Sequence, residues 1–171
     1  MTRFHRFAVA LAVSTSLVAA GPALAKAKEA QPAPISELVK AVDIPYQSFT
    51  LDNGLRVIVH EDHKAPVVAV SVWYRVGSKH EPAGKTGFAH LFEHLMFKAT
   101  KNLPPETFDR LTEDVGGSNN AFTADDTTAY FETVPANHLQ RMLFAEAERM
   151  GSLVVDEPTF VAERDVVKEE Y

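Results

Sequence analysis

Thr86-Gly-Phe-Ala-His90-Leu-Phe-Glu93-His94-Leu-Met-Phe-Lys98 sets two histidines four residues apart with a glutamate between them. On an α-helix, positions i and i+4 lie one above the other on one face, so both imidazoles can reach a single metal ion. Glu93, three residues after His90, stays near that face. The order His-x-x-Glu-His is the inverzincin arrangement, the reverse of His-Glu-x-x-His. Zinc takes neutral nitrogen or anionic ligands and, in a catalytic site, keeps one position for water. A carboxylate beside that water can take its proton. Leu91, Phe92, Leu95, Met96 and Phe97 meanwhile give the helix a broad apolar face. The stretch therefore reads as a metal-binding helix or as an amphipathic core helix with histidines on its polar edge. A third ligand elsewhere in the chain bears on the choice.

Composition restricts what that ligand can be. The 171 residues contain no cysteine, so no thiolate can bind metal or attack a substrate, and no disulfide staples the fold. Histidine and carboxylate remain as the zinc ligands. The first 25 residues read as a secretory signal: Arg3 and Arg6, an apolar run over residues 7–20, and Ala23-Leu24-Ala25 as an A-x-A cleavage site. The run is too short for a comfortable transmembrane helix, and Gly21-Pro22 follows it. The expectation is export and a periplasmic or extracytoplasmic location after cleavage near Ala25. Cleavage removes two arginines and no acid, moving the formal net charge from −6 to −8. That balance argues against a nucleic-acid partner, which needs a basic face.

Residues 26–45 read as a flexible lead-in with a short helix at 36–42. The folded part begins near Tyr46, and 46–171 is long enough for one domain with a real core. Residues 47–51 and 55–60 form a hairpin around Asp52-Asn53-Gly54. Residues 67–76 are nearly continuous in apolar side chains and read as a buried central strand. His60-Glu-Asp-His63 reads as a solvated polar turn ahead of Pro66, since residues three apart on a strand point to opposite faces. A polar loop, 77–87, leads into the His helix. A further helix is expected from Leu103-Pro104-Pro105 to about Val115, burying Leu103, Phe108 and Leu111. Gly116-Gly117-Ser118-Asn119-Asn120 breaks the chain. Strands at 121–123 and 127–134 flank Asp125-Asp126. Helix 136–150 follows, with Leu139, Met142, Leu143 and Met150 at core spacing. A last helix starts at Asp156 and reaches Tyr171 without a C-cap, as though cut in mid-helix.

Glu163 and Glu170 are seven apart and share one face of that last helix, with Val166 and Val167 between them. Taken alone they read as an exposed acidic face.

The ordered set of motifs resembles the M16 metallopeptidases, the family of pitrilysin, insulin-degrading enzyme and the mitochondrial processing peptidases. The likeness runs from about Phe49 to Tyr171. It rests on Asn53-Gly54-Leu55, Gly77-Ser78, Glu81, Gly87-Phe-Ala-His90-Leu-Phe-Glu93-His94-Leu-Met-Phe97, Gly116-Gly117, Asn120-Ala121-Phe122-Thr123, Asp126, Thr128, Tyr130, Glu163-Arg164, Val167 and Glu170. One departure is Ala99, where family members often carry glycine. The resemblance implies one zinc ion held by His90, His94 and Glu170. It makes Glu93 the general base and Glu163 an acidic support behind the ligands. It makes Asn120, Ala121, Phe122 and Thr123 the edge along which an extended peptide lies by β-strand addition. The implied function is a zinc metalloendopeptidase acting on peptides or unfolded proteins, in concert with further M16 domains or a partner subunit. The fold expected is α+β: a mixed, largely antiparallel sheet with helices on one face. The non-enzyme alternative is a structural or scaffold subunit of the same fold, or an inactive fragment. S-ribosylhomocysteine lyase, which has a related motif, fits less well because its chemistry uses a cysteine.

Overall fold

The computed structural model describes Pro32 and residues 34–170. The signal-peptide reading and the start of the lead-in lie outside those described residues. The described residues divide into two compact units, one up to Ile58 and one from Val59 onward. Helix α1 (Ile35–Ala41) precedes strand β1 (Gln47–Thr50), which pairs with β2 (Arg56–Val59), the strand on which the first unit ends. The turn between them is closed by the Leu51 N–H donating to the Leu55 carbonyl at 2.9 Å, with Asn53 Oδ1 accepting from the Leu55 N–H at 3.1 Å. Asn-Gly supplies that turn as expected.

The second unit is built on three antiparallel strands, β3 (Val67–Tyr74), β4 (Ser118–Thr123) and β5 (Thr128–Pro135), in the order β3-β5-β4. The centre is β5, where Thr128, Ala129, Tyr130, Glu132 and Val134 are buried. The expectation that residues 67–76 form the buried central strand is therefore wrong. Among the described residues β3 is an edge strand whose exposure alternates, with Trp73 62% exposed. A continuous apolar run cannot distinguish two buried faces from one buried face backed by an aromatic-rich exposed one. That other face carries Trp73, Phe122 and Phe131, with ring centroids 5.6 Å apart for the first pair and 6.4 Å for the second. Strand β4 also starts earlier than expected: Ser118, Asn119 and Asn120 belong to it and do not break the chain.

Helices α2 (Phe88–Leu95), α3 (Thr107–Glu113) and α4 (Leu139–Gly151) pack on the opposite face, and α5 (Glu157–Glu169) packs beside α2. Leu91 and Leu95 of α2 pack with Val167 of α5, and Phe160 closes the cluster. Each such buried aliphatic side chain contributes roughly 1.5–3 kcal/mol, so this seam is what sets α5 beside the His helix. Asp156 caps α5, its Oδ1 accepting from the Thr159 N–H at 2.9 Å. The fold is α+β, with an antiparallel sheet and helices on one face. No helix among the described residues is long and apolar enough to cross a membrane.

Two helices differ from expectation. Helix α3 starts at Thr107 because Glu106 holds a left-handed φ of 61° behind the two prolines; Phe108 is buried, whereas Leu103 and Leu111 are only half-buried. Helix α4 begins at Leu139, after a 3-10 turn at Ala136–His138. It buries Met142 but leaves Leu139, Leu143 and Met150 exposed, and turns Ala145, Glu146, Glu148 and Arg149 inward. Its charges are matched in part, since Glu146 Oε2 and Arg149 Nε and Nη1 are buried without a hydrogen-bond partner among the described residues. Glu148 accepts from Thr100 Oγ1 and Asn102 Nδ2, both at 2.9 Å, and the bonds from Asn102 and then Thr100 hold its carboxyl below the usual range. Arg149 pairs with Glu146 at 3.4 Å and lies over the rings of Tyr130, Phe108 and Phe97, 4.3, 4.4 and 4.9 Å from their centroids. Glu132 of β5 is within hydrogen-bond reach of Glu146. Burial first, then the Glu146 charge, push the Glu132 carboxyl up to about 8, and burial raises Glu146 too, so at neutral pH the pair holds a proton between its two carboxyls.

Candidate metal centre

The site is assembled on α2. Its N-cap is Gly87, at a φ of 87° that a side chain would strain, and it has no side-chain cap of its own. Glu81, from the preceding loop, takes that role. Its two oxygens accept from the Gly87 N–H at 3.1 Å and the Ala89 N–H at 2.8 Å, placing a negative charge where the helix leaves donors unpaired. The loop itself is anchored by Ser78 and Lys79 N–H groups donating to the carbonyls of Ala124 and Asp125.

His90 and His94, one turn apart, turn their Nε2 atoms toward each other at 3.2 Å. Glu170, at the C-cap of α5, brings Oε2 to 3.4 Å from His90 Nε2 and 3.5 Å from His94 Nε2. Among the described residues this is the group of three whose donor atoms converge, all within 4.8 Å of one another. The spacing carries chemical information. Ligands about 2.0–2.1 Å from a tetrahedral zinc stand roughly 3.4 Å apart, and the three separations lie within about 0.2 Å of that figure. Two imidazole nitrogens and one carboxylate oxygen are also a zinc donor set. The residues present fit the ion.

Two further carboxylates stand on the same two helices, and one of them, Glu163, touches the triangle. Glu163 lies two turns before Glu170 on the same face of α5, with Oε2 at 3.4 Å from His94 Nδ1 and Oε1 at 2.8 Å from Lys98 Nζ. Glu93 points along the sheet side, where Thr123 Oγ1 donates to its Oε2 at 2.5 Å. The backbone carbonyl of Glu93 accepts from the Tyr130 hydroxyl at 3.5 Å, behind it. Burial pushes the Tyr130 phenol upward, so it remains a donor.

The edge segment is divided in its orientation. Asn120 and Phe122 lie on one face of β4, and Ala121 and Thr123 on the other. Phe122 joins the aromatic face of the sheet, whereas Thr123 meets the His helix. Asn120 Oδ1 accepts from the Ala121 N–H at 2.8 Å. Among the described residues β4 is paired on one side only, with β5. The resemblance implies Thr123 only as part of a peptide-gripping edge, and its side chain bonds Glu93 as well. Lys98 and Tyr130 carry no site role in the sequence alone. For Thr123, the alternation of β4 is the available signal. For Lys98 it is the i+4 spacing from His94.

Residues 56–171 match insulinase, peptidase family M16. The chain is 46% identical over 126 residues to the zinc protease PqqE of Helicobacter pylori (strain ATCC 700392 / 26695), covering 73% of this chain and 28% of that protein. It is 33% identical over 124 residues to subunit 1 of the mitochondrial cytochrome b-c1 complex of Rattus norvegicus, covering 72% of this chain and 26% of the relative. The fold is similar to the crystal structure of a protease from Helicobacter pylori, with a TM-score of 0.72 and 45% identity over 74% of this chain and 30% of that one. The chain thus spans less than a third of the length of these relatives. The relatives bear names of a protease and of a respiratory-complex subunit, so kinship alone assigns the fold and the family and leaves activity to the site. On these grounds the chain belongs to the insulinase family of peptidases, family M16.

Proposed function

We propose that this chain carries the zinc centre of a metalloendopeptidase, with His90, His94 and Glu170 as ligands and Glu93 as general base. The observation that carries the reading is the convergence of three donor atoms, from His90, His94 and Glu170, at 3.2–3.5 Å on a helix that also carries Glu93. Zinc held there supplies Lewis acidity toward a peptide carbonyl and a nucleophile from water at neutral pH. Glu93 takes the proton of the attacking water and returns it to the leaving amine. Thr123 fixes one Glu93 oxygen and leaves the other to act. An extended peptide adds along the free side of β4, where the backbone of residues 120–123 supplies main-chain partners. Substrates of this kind are peptides or unfolded proteins, and the relatives' greater length supports further M16 domains or a partner subunit beside this one. The N-terminal segment ending at Ala25 supports export and action outside the cytoplasm.

Glu93→Gln tests the assignment. Zinc content stays that of the parent, while peptide hydrolysis by the zinc-loaded protein, together with any partner chain it needs, falls by at least about 100-fold. A variant that cleaves peptides at the parental rate removes Glu93 from the mechanism. The scaffold reading gains its support if parent and variant both bind zinc and neither cleaves.

A further inference from the structure

We propose that Lys98 is a positioning residue for the metal centre, acting through Glu163 on the His94 imidazole; the inference rests on the zinc reading above. Lys98 lies four residues beyond His94, in the turn that ends α2, where its N–H donates to the Leu95 carbonyl at 3.0 Å. From there its ammonium reaches Glu163 Oε1 at 2.8 Å, and the other oxygen of the same carboxylate lies 3.4 Å from His94 Nδ1. Glu163 is thus gripped at both oxygens by groups from the His segment. Its side chain is only 13% exposed and that of Lys98 27%, so the pair is sheltered, unlike the freely solvated surface pairs that contribute little.

The consequence falls on His94. A fixed carboxylate oxygen at Nδ1 makes that nitrogen the protonated one and turns the Nε2 lone pair toward His90 and Glu170. Without Lys98, one Glu163 oxygen loses its partner and the carboxylate is free to swing away from Nδ1. The ring then loses the contact that sets both its tautomer and its tilt.

Two simpler roles for Lys98 make different forecasts. As a bare positive charge near a dication it opposes zinc, so removing it tightens binding. As a charge at the C-terminus of α2 it acts on the helix whether or not Glu163 is present. The positioning role requires weaker zinc binding on removal, and only while Glu163 is there.

Zinc affinity, read by competition with a chelator, separates these forecasts. The proteins are the parent, Lys98→Met, Lys98→Arg, Glu163→Ala and the Lys98→Met/Glu163→Ala pair, with His90→Ala as a control and circular dichroism as the check on folding. Lys98→Met weakens zinc binding about tenfold, the lower end of what outer-shell partners contribute. Lys98→Arg restores most of it. In the Glu163→Ala background, Lys98→Met changes affinity by less than about twofold. Unchanged or tighter binding in Lys98→Met, or an equal loss in the Glu163→Ala background, overturns the positioning role and leaves the zinc site standing. Zinc binding in the parent that is absent or indifferent to His90→Ala overturns both, since these residues would then form no site to position.

Discussion

Glu132→Gln tests the charged core beneath the site. Glu132 is 4% exposed, and its carboxyl faces Glu146 and Arg149 of α4. Burial and the Glu146 charge raise its pKa from 4.5 to about 8. Between those two values the folded chain holds a proton that the unfolded chain has released, so stability falls as pH rises through this window. Each pH unit across it corresponds to about 1.36 kcal/mol, which sets a ceiling of roughly 5 kcal/mol by pH 8. Relaxation and hydration around buried charges reduce this to about 2 kcal/mol. Glutamine has the shape of the protonated acid and can donate to Glu146 as it does, yet has no proton to lose. Urea unfolding followed by far-ultraviolet circular dichroism at pH 5 and pH 8 reads the difference. Parent and Glu132→Gln should be within about 0.5 kcal/mol of each other at pH 5. At pH 8 the variant should be more stable by about 2 kcal/mol. Taking the difference removes every contribution common to the two proteins. Parallel pH profiles would refute the shared-proton account.

Thr123→Val removes the hydroxyl that holds Glu93 and keeps the shape of the side chain; turnover should fall about tenfold with KM and zinc content unchanged, and Thr123→Ser should recover it. Equal turnover in the valine variant would return Thr123 to the role of a strand residue. Gly77→Ala would place a Cβ 2.1 Å from the Ala124 carbonyl oxygen and 2.7 Å from the Thr127 nitrogen, both backbone atoms. The loop that carries Glu81 must then shift, destabilising the chain by about 2 kcal/mol or more, seen as a Tm lowered by roughly 4 °C or more. An unchanged Tm would show that the loop yields more easily than these contacts require.

What the sequence revealed, and what it hid, follows the range of the interactions involved. His90, Glu93 and His94 were legible because helical periodicity alone brings i and i+4 together. Glu170 stands 76 residues beyond His94; by spacing it was one acid on an acidic helix, and only the resemblance singled it out. Its approach depends on Leu91, Leu95 and Val167 meeting across two helices, a contact no local pattern encodes. The Thr123–Glu93 bond likewise needs the register of β4 against β5 and the seating of α2 on that sheet. Helix α4 misled for a different reason: apolar spacing pointed to Leu139, Leu143 and Met150, while the face that is buried carries the Glu146–Arg149 ion pair. Burial of charge is invisible to hydropathy when its partner comes from the same helix and its cover from three aromatic rings elsewhere in the chain.

The most direct measurement is zinc per chain, by elemental analysis of the purified protein, with Glu170→Gln alongside. The account predicts about one zinc in the parent and well under half of that in the variant after dialysis against a weak chelator. Equal zinc in both proteins, or none in the parent, would contradict the claim that His90, His94 and Glu170 close a metal site within these residues.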